Sequence, residues 1–210
     1  MKTKAHTRYR LESGTQVAGV TTITGILAKF PLYNWYWKLG RDGIDHRKHL
    51  DFLADIGTLA HSMIFHHLRG EEVTTSDYSQ NQIDLAGNSF ESFLKWEKQH
   101  KLKPLLLEEQ LVSETYKYGG TPDFYGFVDG CETLLDFKSS GIYDDQFIQL
   151  SAYVNLLKES GKKVSACKVL VIPTDKDKGF REGQREDVSV HWEIFLRCLD
   201  IYNLRKEIGK

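Results

Sequence analysis

The chain has 210 residues, about 40% of them apolar, and a formal net charge of −1. That length suits one sizeable core, and a single α/β or α+β domain is the default expectation. No run reaches the roughly 18 uninterrupted apolar residues of a membrane span, and Met1-Lys2-Thr3-Lys4-Ala5-His6 lacks an apolar signal core, so a soluble cytoplasmic protein with no membrane partner is expected.

Residues 1–25 read as an extended lead-in, Thr15 to Thr24 being rich in Val, Thr and Ile between Gly14 and Gly25. Pro31 then opens a short helix through Leu32-Tyr33-Asn34-Trp35-Tyr36-Trp37-Lys38. Its interleaved aromatics and cations could stack on bases, with the segment Trp35 to Trp37, Trp35 first, as a substrate-contact candidate, or simply dock the helix on the core. Residues 51–68 carry Leu53, Ile56, Ala60, Ile64 and Leu68 at helical spacing, with His61 beside the stripe. A polar loop from Arg69 to Asn81 leads to a second helix from about Leu85 to Gln99.

The period then changes. Leu105 to Val112 predicts a strand, Tyr116 to Gly120 a turn, Thr121 to Asp129 a strand, Gly130 a turn, and Thr133 to Lys138 a third strand. Asp144 to Leu157 returns to helix. Val164 to Ile172 is almost continuously apolar, as a strand buried on both faces would be, and implies a mixed sheet. Thr174 to Asp187 reads as a charged mobile loop, Val188 to Trp192 as an edge strand, and Glu193 to Lys206 as a closing helix. The whole is expected as one domain over residues 1–210, with helical elements over about 26–100 and the core sheet over about 105–192.

Chemistry concentrates in Gly120-Thr121-Pro122-Asp123 and, after twelve intervening residues, Asp136-Phe137-Lys138. Strand alternation puts Asp136 and Lys138 on one face and the Phe137 side chain on the other. If the Asp123 strand pairs through the Gly130 turn, two carboxylates approach and repel unless a cation neutralises them. Phosphodiester hydrolysis needs such a cation near the nonbridging oxygen, an acidified water, and positive charge such as the Lys138 ammonium. The near-neutral net charge does not oppose a polyanionic substrate, because central carboxylates and rim cations cancel in the sum.

A lone DxK is common at exposed strand ends, but other residues join it. Glu108 on the preceding strand is a further carboxylate, with Glu109 leaving the register open. His61 lies in Gly57-Thr58-Leu59-Ala60-His61, whose small residues would let the helix approach the sheet. Gln149 and Tyr153, four apart, share a helix face.

In order, helix-His, Glu, GxxD, DxK and QxxxY resemble the RecB-like branch of the PD-(D/E)xK nuclease superfamily. The resemblance spans roughly residues 15–170 and is nearest to phage-type exonucleases and the mitochondrial genome maintenance exonuclease. It includes Val20-Thr21-Thr22-Ile23, Leu107-Glu108, Leu135-Asp136-Phe137-Lys138-Ser139-Ser140 and Gln149-Leu150-Ser151-Ala152-Tyr153. It implies an α/β, restriction-endonuclease-like core with a central mixed β-sheet flanked by helices. It implies Mg²⁺ or Mn²⁺ held by His61, Asp123, Asp136 and the Phe137 carbonyl, with Glu108 assisting and Lys138 catalytic. Gln149 and Tyr153 would support the site and contact DNA. The expected activity is exonucleolytic trimming of single-stranded or end-frayed DNA, leaving 5′-phosphates. A structure-specific endonuclease or a non-catalytic DNA-end-binding module are the alternatives. A single-strand-binding or recombination protein is a conceivable partner, and a bacterial or phage-infected host the conceivable source. Cys131, Cys167 and Cys198 are odd in number and far apart, so no disulfide framework or iron–sulfur cluster is expected. Nor is there a GxxxxGK[ST] motor loop.

Overall fold

The computed structural model describes residues 8–209, so the expectation for Met1 to His6 lies outside the described residues. A short antiparallel pair, β1 (Tyr9–Arg10) and β2 (Gln16–Gly19), begins the chain, and β2 runs straight into a helix, α1 (Val20–Thr24). The extended reading of Thr15 to Thr24 therefore fails after Gly19. Val20 and Ile23, three apart, are buried on the helix side that faces the core, and tertiary burial overrides their β-branched preference.

Helix α2 (Phe30–Arg41) has Pro in its first turn, where a missing N–H costs no hydrogen bond. Helix α3 (His46–Arg69) is capped by Asp45, whose side chain accepts from the Arg47 and Lys48 amides, and ends on Gly70 in the left-handed region. Its inward stripe is Ile56, Leu59, Ala60 and Ile64, whereas Leu53 is exposed, contrary to the periodicity reading. Helix α4 (Gln80–Glu97) starts with a Ser79/Gln82 capping box and packs along α3.

The segment expected as one strand from Leu105 to Val112 is two. β3 (Leu102–Leu107) and β4 (Leu111–Ser113) belong to different sheets, separated where Glu108 takes a φ of 49°. A non-glycine residue at positive φ breaks the extended run. The expected turn at Tyr116 to Gly120 contains a short strand, β5 (Tyr118–Gly120). The small sheet has the order β1-β2-β5-β4.

The main sheet adds β6 (Phe124–Val128), β7 (Cys131–Lys138), β8 (Ala166–Val171) and β9 (Arg181–Arg185), in the order β3-β6-β7-β8-β9. Asp129 and Gly130, with φ of 52° and 83°, close the β6–β7 hairpin in the conformation that two-residue turns favour. Between β7 and β8 runs α5 (Asp144–Glu159), and that helix makes the parallel β7–β8 pairing possible. β8 is buried throughout, as its apolar run predicted. The charged loop and edge strand are exchanged relative to expectation. Arg181–Arg185 is the edge strand, and Ser189 starts the last helix, α6 (Ser189–Ile208). An edge strand must pair on one side only, so exposed arginine and glutamine suit it and discourage further strand addition.

The result is the expected α/β arrangement, a mixed sheet with helices on both faces. Leu134, Tyr125 and Val169 pack beneath α1, α5 and α6 on one face. Phe124, Leu135, Phe137 and Leu170 meet Ile64, Phe93 and Trp96 of α3 and α4 on the other. Among the described residues no helix is long and apolar enough to cross a membrane.

Candidate active site

The Phe124↔Leu135 register leaves Asp123 and Asp136 side by side at one end of the β6–β7 hairpin. The Phe137 amide donates to Asp123 Oδ2 at 2.8 Å, which fixes that carboxylate against the neighbouring strand. Alternation then does what the sequence predicted. Asp136 and Lys138 face α5, and the Phe137 ring turns to the α3–α4 side, edge-on to Phe93 and His61 at centroid distances of 5.6 and 5.7 Å.

His61 reaches Asp123 from α3, with Nδ1 3.5 Å from Oδ1. Lys138 Nζ lies 2.5 Å from Asp136 Oδ2, and Asp136 is only 2% exposed. Gln149 Nε2 donates to Asp136 Oδ1 at 3.3 Å and to the Tyr153 hydroxyl at 2.9 Å. His61, Asp123, Asp136, Lys138, Gln149 and Tyr153 are thus one connected cluster drawn from α3, β7, α5 and the approach to β6.

Gly57, proposed as a point of close helix–sheet approach, has open space where a Cβ would stand, while Ala60 is buried. Glu108 sits just beyond β3, its amide donating to the Asp123 carbonyl at 3.2 Å. Partial loss of solvent and then the Asp123 charge push its carboxyl above the usual range. Glu109 shows no comparable link. Trp35 does not join the cluster; its half-buried ring lies 5.7 Å from His49 at the start of α3, about 18 Å along the helix from His61.

Ionisation follows the packing. Burial and the Asp123 charge outweigh the Lys138 ammonium and raise Asp136 to about 6. Burial alone would lift Asp123, but the His61 and Lys138 charges hold it below the usual carboxylate range. Burial would lower His61 and Lys138, yet the neighbouring carboxylates raise both. The two aspartates thus favour the ammonium form of Lys138. Burial and the two aspartates keep Tyr153 a neutral phenol.

Tyr9 and Gly119 escaped the sequence reading. The Tyr9 hydroxyl is 2.9 Å from Thr121 Oγ1, and the Tyr9 ring lies so close to Gly119 that a Cβ there would fall 2.3 Å from it. At Gly120 a Cβ would stand 2.5 Å from the Tyr153 ring. The paired glycines were the available signal: two rings press on backbone there, and only hydrogen fits.

The donor set fits a hard divalent cation. Asp136 is 2% exposed, and its Oδ2 lies against the Lys138 ammonium. Two carboxylates buried side by side need positive charge beside them, which Lys138 supplies and a divalent cation would reinforce. Among the described residues no three His, Cys, Asp or Glu side chains form a ready cation cage. His61 lies against Asp123, and Lys138 against Asp136.

No family model matches the chain. No curated protein matches it either. Among solved structures it is similar to an alkaline exonuclease, LHK-Exo, from Laribacter hongkongensis, at 11% identity over 92% of this chain and 93% of that one, with a TM-score of 0.40. The same exonuclease in complex with dAMP gives 14% identity, the same coverages of 92% and 93%, and a TM-score of 0.36.

Proposed function

We propose that the chain is a divalent-metal-dependent DNA exonuclease with a restriction-endonuclease-like core, acting on single-stranded or end-frayed DNA. The observation that carries the reading is the buried Asp136 carboxylate, beside Asp123 and against the Lys138 ammonium, with His61 and Gln149 closing on the pair. Separate strands and a helix converge to place two carboxylates and a lysine at one sheet end, a costly arrangement unless ionic chemistry occurs there.

His61, Asp123, Asp136 and the Phe137 carbonyl would hold Mg²⁺ or Mn²⁺, with Glu108 at the rim. When bound, the cation supplies Lewis acidity at a nonbridging phosphate oxygen and makes a neighbouring water more acidic. Lys138 carries positive charge to the phosphate and stabilises the pentavalent transition state. Gln149 fixes the Asp136 carboxylate, and Tyr153 fixes Gln149. His61 anchors Asp123 from the opposite face. The exonuclease mode draws on the ordered motif resemblance to phage-type exonucleases.

The test is incubation of end-labelled linear and covalently closed circular DNA with Mg²⁺ or Mn²⁺. Progressive loss of the linear molecule with an intact circle supports the proposal. Nicking of the circle would replace it with an endonuclease, and tight binding with no cleavage in either metal would replace it with a non-catalytic end-binding module.

A further inference from the structure

Helix α2 has two unlike sides. Leu39 is buried, Trp35 and Tyr36 are half-buried, and the latter two lie against His49 and His46 of α3. On the other side Phe30, Tyr33 and Trp37 are 71%, 58% and 62% exposed. With Arg41 they recur at intervals of three and four residues, which aligns them in one stripe. Phe30 and Tyr33 meet edge-on at 5.9 Å, and the Arg41 guanidinium lies 5.1 Å over the Trp37 ring.

Three large rings in water have an unfavourable exposed surface that a partner would relieve. The surrounding charge selects the partner. Residues 29–48 contain Lys29, Lys38, Arg41, Arg47 and Lys48 against Asp42 and Asp45, a local excess of three positive charges in a chain whose net charge is −1. Asp45 is also occupied as the α3 cap, and Asp42 pairs with Arg41. A row of rings edged by cations matches a polyanion whose units carry flat faces, which is single-stranded nucleic acid.

We infer that the Phe30–Tyr33–Trp37 face of α2 is a base-stacking ladder for single-stranded DNA. The inference rests on the proposed action on DNA and adds the strand contact. Of the two tryptophans the sequence offered, Trp35 is turned toward α3 and Trp37 takes the outward position.

The experiment measures binding of the full chain to a labelled oligothymidylate and to a blunt duplex by fluorescence anisotropy, in EDTA so that nothing is cleaved. Tyr33→Ala and Trp37→Ala should each raise the oligothymidylate Kd roughly five- to 150-fold. Tyr33→Phe and Trp37→Phe should restore most of it, and duplex affinity should stay constant because paired bases offer no free faces. Thermal melts confirm that the exposed-site variants fold. Unchanged oligothymidylate affinity in the alanine variants overturns the ladder, as does an equal loss on duplex. Binding of anionic vesicles through these rings, with DNA affinity unchanged, reassigns the face to a lipid surface. A wild-type chain that binds through the rings but hydrolyses nothing sinks the nuclease reading and leaves the ladder. Hydrolysis by a chain whose ring variants bind normally does the reverse.

Discussion

Gly120→Ala offers the sharpest test of how the cluster is positioned. The added methyl would stand 2.5 and 2.8 Å from two carbons of the Tyr153 ring and 3.0 Å from Leu156 Cδ1. Carbon atoms rest at about 3.5 Å, so the ring must retreat by about 1 Å. Tyr153 and Leu156 are both buried, and the packing behind them resists. Overpacking of this kind costs about 1–3 kcal/mol. The same retreat lengthens the 2.9 Å Gln149–Tyr153 hydrogen bond and loosens Gln149 on Asp136. A misplacement of about 1 Å near reacting groups can reduce turnover by about 10²-fold. The assay pairs thermal unfolding with single-turnover cleavage of end-labelled DNA, in wild type, Gly120→Ala, Tyr153→Phe and the double variant. Once the hydroxyl is gone, Gly120→Ala should still cost stability but little further activity. Reduced stability with unchanged turnover in the single variant would refute the positioning argument.

Lys138→Ala should lower turnover by about 10²–10³-fold while DNA and Mn²⁺ binding persist; loss of fold or of metal affinity instead would show that the lysine is structural. Cation affinity should rise with pH. Asp136 is raised to about 6, so protons compete with the metal below that value, and His61, also raised, must lose its proton to serve as a ligand. Calorimetric Mn²⁺ titrations from about pH 5 to about pH 8 check this, and a flat profile contradicts it. Gly57→Ala should stabilise the protein by about 0.5–1 kcal/mol, because Gly57 is inside a helix with free space around its absent side chain. A lower unfolding midpoint would reveal a tighter α3 approach than the geometry contains.

What the sequence made legible depended on the range of the interactions. The Asp129-Gly130 hairpin, the Asp136/Lys138 alternation and the Gln149/Tyr153 spacing are local consequences of backbone geometry, and each was readable from a few residues. The break at Glu108 was not, because the polar triplet Glu108-Glu109-Gln110 reads equally well as the exposed part of one strand and as a gap between two. Nor was the exchange of strand and loop near the C-terminus. Arg181–Arg185 has poor strand propensity and is a strand because Val171, Leu170 and Val169 offer it a free edge. Val188–Trp192 has good propensity, yet its later residues join a helix whose Phe195 and Cys198 are buried. The outward turn of Trp37 and the inward turn of Trp35 depend on the side of α2 that meets α3, and no local pattern determines that.

The cluster also divides unequally along the chain. Everything from Asp123 to Tyr153 belongs to one uninterrupted stretch of hairpin and helix, whereas His61 arrives on a separate antiparallel pair of helices, α3 and α4. Those helices meet the sheet through side chains such as Ile64, Phe93 and Trp96. A seam therefore runs through the centre of the site. On one side of it stands the imidazole, and on the other the carboxylates, the ammonium and their amide support, so a substitution that shifts α3 changes the histidine's reach to Asp123 without touching the contacts that hold Asp136.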